Sequence, residues 1–228
     1  MSYLVGVTVL WAFSFSLIGV YLAGQVDSYF AVLMRIGLAT LVFLPFLRPK
    51  LLAGRQRLIL MALGAVQLGA MYIFFYQSFL LLSVPEVLLF TIFTPFYVTL
   101  LDDALFKRFT PFYLLTAALA VLGAAVIRYD GIDSGFWLGF LVVQGANLCF
   151  ALGQVGYRRL AVTLPAELPR HSVFAWFYLG ALAVALPAFL LLGNAAAMPA
   201  TGVQWGVLAW LGLVASGLGY FLWNLGAT

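Results

Sequence analysis

A chain of 228 residues that is 65% hydrophobic and 8% charged cannot clothe itself in a wettable surface, because soluble domains carry about 25% charged residues. Its net charge of +4 is therefore a matter of membrane topology rather than of affinity for nucleic acid. Cys149 is the single cysteine, which excludes a disulfide framework and a thiol pair for a metal.

A hydrocarbon core about 30 Å thick takes about 20 apolar residues in a helix. Eight segments reach that length, at 3–23, 28–47, 58–81, 84–102, 110–128, 136–156, 171–192 and 203–225. Their unbroken apolar runs exclude a lipid-facing barrel, whose strands alternate, so the fold class is an all-α polytopic membrane protein. The first segment lacks a basic leader and is long enough to span, so it reads as a retained helix rather than a secretion signal.

In chain order, span one brings Trp11 and Ser14 to one face. Span two carries Arg35 about eight residues in, where an unpaired cation costs at least about 2.5–3.5 kcal/mol. Two readings stand for it. Arg35 reaches the outer interface or pairs with a neighbour to lock helices, or it faces a wet cavity and grips an anion bidentately. Span three holds Tyr72 and Tyr76 beside Gly64 and Gly69. Span four opens on Ser83-Val84-Pro85-Glu86, the form of a capping box with Pro in the first turn. Glu86 completes that cap or pairs with Arg35. Pro95 predicts a kink and leaves the Thr91 carbonyl without its donor, with the Thr91 and Thr94 hydroxyls at hand.

Small residues crowd spans three, five and eight (Gly64, Ala117, Ala120, Gly123, Ala124, Gly212) and suit close helix approach. In span six, Gln144, Asn147 and Gln154 fall within about 80° of one another at the helical period. His171 starts span seven at the solvent edge, and Trp176 and Tyr178 follow. Ser216, Tyr220 and Asn224 stack along span eight, with Trp223 beside them. Amides and hydroxyls facing lipid are costly, so these stripes either bond between helices or line a substrate path. No phosphate loop, metal spacing or catalytic constellation is present, so the sequence argues against an enzyme and calls for no cofactor.

The chain nearly repeats itself. Residues 63–76, LGAVQLGAMYIFFY, superpose on 211–224, LGLVASGLGYFLWN, at a shift of 148 positions. Gly64 then meets Gly212, Gly69 meets Gly217, Tyr72 meets Tyr220 and Phe75 meets Trp223. Arg48, Lys50, Arg55, Arg57, Lys107, Arg108, Arg158, Arg159 and Arg170 fall in alternate loops, whereas the opposite loops carry Asp27, Arg128, Asp130 and Asp133. That bias places the N-terminus in the cytoplasm. Spans three and eight then cross in opposite directions, the pattern of inverted repeats. A first five-helix unit over 1–130 and an inverted second unit over 131–228 are expected, with eight of ten helices in this sequence.

Two five-helix units, Arg35, Pro95 and the Tyr220-Phe221-Leu222-Trp223 pattern resemble the EamA-type transporters of the drug/metabolite transporter superfamily. WAFSFS (11–16), YLAGQVDSYFAVLMR (21–35), IRYD (127–130), FAWFYLGA (174–181) and the stretch 205–228 are similar to the bacterial inner-membrane biotin transporters within it. The resemblance implies ten helices, both termini cytoplasmic, and uptake of biotin by alternating access; export of amino acids or other metabolites is the alternative within the same fold. For such a substrate Arg35 suits the carboxylate, and Asn147, Asn224, Tyr72 or Tyr220 suit the ureido ring. Trp11, Trp176 and Trp223 suit apolar walls. Ser14, Tyr76, Glu86, Gln144 and Tyr178 complete the candidate set.

Overall fold

The computed structural model describes residues 2–107, 109–127, 134–165 and 167–227. Arg108, Arg128, Asp130 and Asp133 lie outside the described residues, as do the junction expected at 130/131 and the side chains of Ala117, Ala120, Gly123 and Ala124. Among the described residues eight long helical segments run in chain order: α1 (Ser2–Tyr21), α2 (Ser28–Phe43), α3 (Gly54–Ser78), α4 (Val84–Phe106), α5 (Pro111–Ile127), α6 (Ser134–Ala161), α7 (Arg170–Leu192) and α8 (Gly202–Ala227). Among the described residues seven are long and apolar enough to cross a membrane, and α5 has 17 residues.

Local chemistry sets the helix ends. Asp27 caps α2 by accepting from Phe30 N at 2.7 Å, and its second oxygen accepts from Asn194 N at 3.1 Å. The Asp27 N–H donates to the Ala197 carbonyl at 2.7 Å, so one residue starts α2 and moors it to the α7–α8 loop. Glu86 Oε2 accepts from Ser83 N at 2.7 Å and from Ser83 Oγ at 2.6 Å, closing the cap at the head of α4. Helix α3 starts four residues before the expected 58, because Gln56 accepts from Ala53 N at 3.0 Å and ties down its first turn.

Helices α2 and α7 are innermost, with Ala31, Val32, Ile36, Ala39, Val173, Phe174, Phe177 and Tyr178 buried. Helices α1 and α5 turn Val5, Val9, Phe13, Phe112, Leu115 and Leu119 outward, as a lipid-facing helix would. Pair contacts give the directions. Gln77 bonds Ser28 at 2.8 Å and Tyr76 meets Arg35, so α3 runs antiparallel to α2. Phe30 lies against Trp205, Gly212 against Leu38, and Phe43 against Phe221, so α8 runs parallel to α2. Helices α3 and α8 therefore cross in opposite directions despite their shared pattern.

The repeat also shares a backbone irregularity. Ala65–Ala70 in α3 and Leu211–Leu218 in α8 are π-helical. Met71 N bonds Val66 O in the first, and Gly219 N bonds Val214 O in the second, at the same 148-residue shift. A π turn widens the helix and frees carbonyls for other donors. In α8, Trp11 Nε1 takes the Ala215 carbonyl at 3.0 Å, and Tyr178 Oη takes Ser216 O at 2.6 Å and Gly217 O at 3.0 Å. Close crossings flank both turns. A Cβ on Gly64 would overlap the Phe177 carbonyl, and one on Gly180 would overlap the Met61 carbonyl, so α3 and α7 meet backbone to backbone. On α8, a Cβ on Gly212 would lie 2.8 Å from the Leu38 Cβ and 3.3 Å from the Arg35 carbonyl oxygen.

The break in α4 departs from expectation in one respect. Thr91–Phe93 tightens to a 3-10 turn, and Thr94 N bonds Thr91 O. The Thr91 carbonyl is thereby satisfied, and in the tightened turn the Phe90 carbonyl, which Thr94 N would have served in an unbroken α-helix, is open to a donor from outside the helix. Asn147 Nδ2 from α6 takes it at 2.8 Å, while Thr94 Oγ1 donates to Asn147 Oδ1 at 3.1 Å.

Candidate functional site

Between α1, α3, α4, α6 and α8 lies a cavity of about 690 Å³, with Arg35 reaching its wall from α2. Its lining is chiefly apolar, the usual make-up of a small-molecule site with a few placed polar groups. Towards one end it reaches Leu4, Thr8, Val98, Arg158 and Ala227, where the basic loops lie. At the other end Phe15 packs on Phe75 (5.2 Å between centroids) and Phe75 on Phe79 (5.1 Å).

Arg35 is 3% exposed. Its Nε donates to Ser216 Oγ at 2.5 Å and its Nη1 to Tyr76 Oη at 3.4 Å, and its Cζ stands 4.2 Å above the Tyr72 ring. Tyr72 Oη and Ser216 Oγ are 2.9 Å apart. Hydroxyls and ring faces thus hold the guanidinium, and among the described residues no carboxylate pairs with it. Among the described residues its Nη2 group has no protein acceptor, which leaves part of the planar fork to a ligand.

Aromatic side chains form the neighbouring wall. Trp11 packs on Tyr220 (4.8 Å) and Trp223 (5.0 Å), and Tyr220 meets Tyr72 at 5.9 Å. Phe150 closes on Trp11, Tyr220 and Trp223 at 6.1–6.2 Å. On α6, Asn147 is held between Phe90 O, Thr94 and Gln144 Oε1. One face further on, Gln154 Oε1 accepts from Trp223 Nε1 at 2.9 Å and from Gln67 Nε2 at 3.4 Å.

Seven of the sequence candidates meet in this lining: Trp11, Ser14, Arg35, Tyr72, Asn147, Tyr220 and Trp223. Six stand outside it. Tyr76 sits behind Arg35, and Glu86 caps α4 rather than pairing with Arg35. Gln144 supports Asn147, Tyr178 bonds the α8 carbonyls, and Asn224 bonds Tyr220 O at 3.0 Å. Trp176 lies 5.4 Å from the Arg57 guanidinium, away from the cavity. The sequence reading did not single out Phe15, Met71, Phe75, Phe150 and Gln154 as site residues, yet all line the cavity. A signal existed for two of them, since Phe75 is the repeat mate of Trp223 and Gln154 shares a face with Asn147.

The comparisons with known proteins agree with this architecture. Residues 1–129 match the model of the EamA-like transporter family. The chain is 55% identical over 229 residues to the biotin transporter of Escherichia coli (strain K12), covering all of this chain and 76% of that protein. It is 54% identical to the biotin transporter of Salmonella typhimurium, again over 76% of the relative, and 56% identical to the probable biotin transporter of Pseudomonas aeruginosa, over 80% of it. A solved crystal structure superposes with a TM-score of 0.69 at 19% identity, covering 99% of this chain and 76% of that one, which is a likeness of fold. This multi-pass membrane protein belongs to the EamA-like transporter family.

Proposed function

We propose that the chain imports biotin across the bacterial inner membrane as a secondary transporter, by alternating access and with its N-terminus in the cytoplasm. One observation carries the reading: Arg35 lines a largely apolar cavity, has donors to spare, and is met by no protein carboxylate among the described residues. A buried cation without a counterion is costly, and an anionic substrate supplies the missing charge. Biotin offers one carboxylate on an apolar chain and bicycle, which suits the Trp11–Tyr220–Trp223 wall. Relatives at 54–56% identity bear that substrate in their names.

Two inverted units, 1–130 and 131–228, are part of this reading. The paired π turns and the opposed directions of α3 and α8 support them. In this conformation the cavity reaches the end bearing Arg158, which by the distribution of basic loops is the cytoplasmic side, where an importer releases its cargo. Radiolabelled biotin uptake by cells lacking their own carrier tests the proposal. Uptake above vector, competed by biotin but not by its methyl ester, is the expected result. No uptake, with a loss of cellular metabolite on expression, would instead indicate export.

A further inference from the structure

The cavity's polar side chains allow a donor-by-donor account. Thr8, Ser14 and Thr91 give their hydroxyl protons to backbone carbonyls of their own helices. Trp11 Nε1 is spent on Ala215 O, Asn147 Nδ2 on Phe90 O and Gln144, Thr94 on Asn147, and Trp223 Nε1 on Gln154. Tyr72 shares its hydroxyl with Ser216, and the Tyr220 hydroxyl interacts with that of Tyr72. Arg158, at the mouth, faces Asp102 at 3.6 Å.

Among the described residues, two donor groups inside the mouth remain without a hydrogen bond to protein, the Nη2 of Arg35 and the Nε2 of Gln154. Gln154 is 8% exposed and lines the cavity. Its orientation is not arbitrary: an indole N–H can only donate, so the 2.9 Å bond from Trp223 fixes the Gln154 oxygen on that side and turns the NH₂ away from it. The two donor groups stand at opposite ends of one aromatic wall. Arg35 lies over Tyr72 (4.2 Å), Tyr72 meets Tyr220 (5.9 Å), Tyr220 meets Trp11 (4.8 Å), and Trp11 meets Trp223 (5.0 Å), which holds Gln154.

We infer that Gln154 is the second polar anchor of the site, donating from Nε2 to the carbonyl oxygen of a cyclic urea while Arg35 holds the carboxylate at the far end. The inference rests on biotin being the substrate and adds which atom of the chain reads the ring. A ureido carbonyl is an acceptor, joined to its carboxylate by an apolar bicycle and chain that match the wall between the two anchors. It also predicts what is refused. In 2-iminobiotin a cyclic guanidine replaces the urea; protonated at neutral pH, it offers only donors to the Gln154 NH₂.

The experiment is displacement of radiolabelled biotin from the full chain in membranes at neutral pH, by biotin and by 2-iminobiotin. Wild type is expected to favour biotin by about tenfold or more, the scale of one buried hydrogen bond lost with its donor left unpaired. Gln154→Leu loses about tenfold in biotin affinity, and its discrimination falls away. Gln154→Glu keeps an oxygen for Trp223 and turns an acceptor to the cavity, so its preference shifts towards 2-iminobiotin. A misfolded protein cannot produce that gain, so Gln154→Glu decides the matter if Gln154→Leu does not fold. Wild-type affinity and discrimination retained in Gln154→Leu, or an unchanged biotin preference in Gln154→Glu, overturns the assignment while leaving biotin as the substrate. Failure of the wild-type chain to bind biotin overturns both readings together.

Discussion

Ser216 of α8 is the hydrogen-bond anchor of Arg35 of α2: the guanidinium Nε donates to the Ser216 hydroxyl at 2.5 Å, and Tyr72 from α3 shares that oxygen at 2.9 Å. Three helices thus converge on one hydroxyl, which aims the fork without neutralising it. Arg35→Ala should lower biotin affinity by about 10- to 150-fold, the range for hydrogen bonds to charged groups. Arg35→Lys should fall between, since it keeps the charge and loses the planar fork. Uptake normalised to membrane expression checks both, and wild-type uptake by Arg35→Ala would return the residue to a purely structural role.

The bridge from Asn147 to the broken α4 predicts a coupling. Asn147→Ala removes the bonds that tie α6 to the Phe90 carbonyl and to Thr94 and should cost about 0.5–1.5 kcal/mol of stability. Pro95→Ala restores an N–H at the break and lets the helix satisfy its own carbonyls, so Asn147→Ala should cost less in that background. A double-mutant cycle in a denaturation assay reads this directly, and strict additivity would show that the two features are independent.

Glycines at the α3–α7 crossing should be intolerant. Gly180→Ala pushes a methyl group into the Met61 carbonyl and should destabilise by about 1–3 kcal/mol. Gly206→Ala meets nothing within 4 Å and should leave the melting temperature at or above wild type, since alanine favours a helix over glycine. Thermal melting followed by size-exclusion chromatography distinguishes the pair.

At the mouth, Arg158 and Asp102 are 3.6 Å apart with side chains 59% and 27% exposed. Such a solvated pair is worth about 0–1 kcal/mol. Arg158→Gln should therefore leave thermal stability close to wild type, and a drop of several degrees would mean that the pair does more than its exposure suggests.

Much of this was legible in the sequence. Apolar runs of membrane length located the helices, and the near-copy at a shift of 148 positions picked out the two stretches that are π-helical. The capping box at Ser83 and the depth of Arg35 were equally readable. Lateral contacts were not. Trp176 and Asn224 are the residue types expected in a site, yet rotation about their helices turns them elsewhere, and a π turn shifts the register of every residue after it. That Asn147 reaches the carbonyl of Phe90 rather than that of Thr91 has the same origin: a local tightening of the backbone that Pro95 permits but does not dictate.

The mooring of α2 has a consequence for how such a molecule changes shape. Asp27 fastens the start of α2 to the loop between α7 and α8, and α2 then runs alongside α8 for its whole length, while α7 lies against α3. Helices α2 and α7 also pack on each other, through Phe30 on Phe189 and Phe43 on Tyr178. Early and late stretches of the chain are therefore interleaved, and because Arg35 is held at once by Tyr76 of α3 and Ser216 of α8, any shift of those two oppositely directed helices against each other would re-aim the guanidinium.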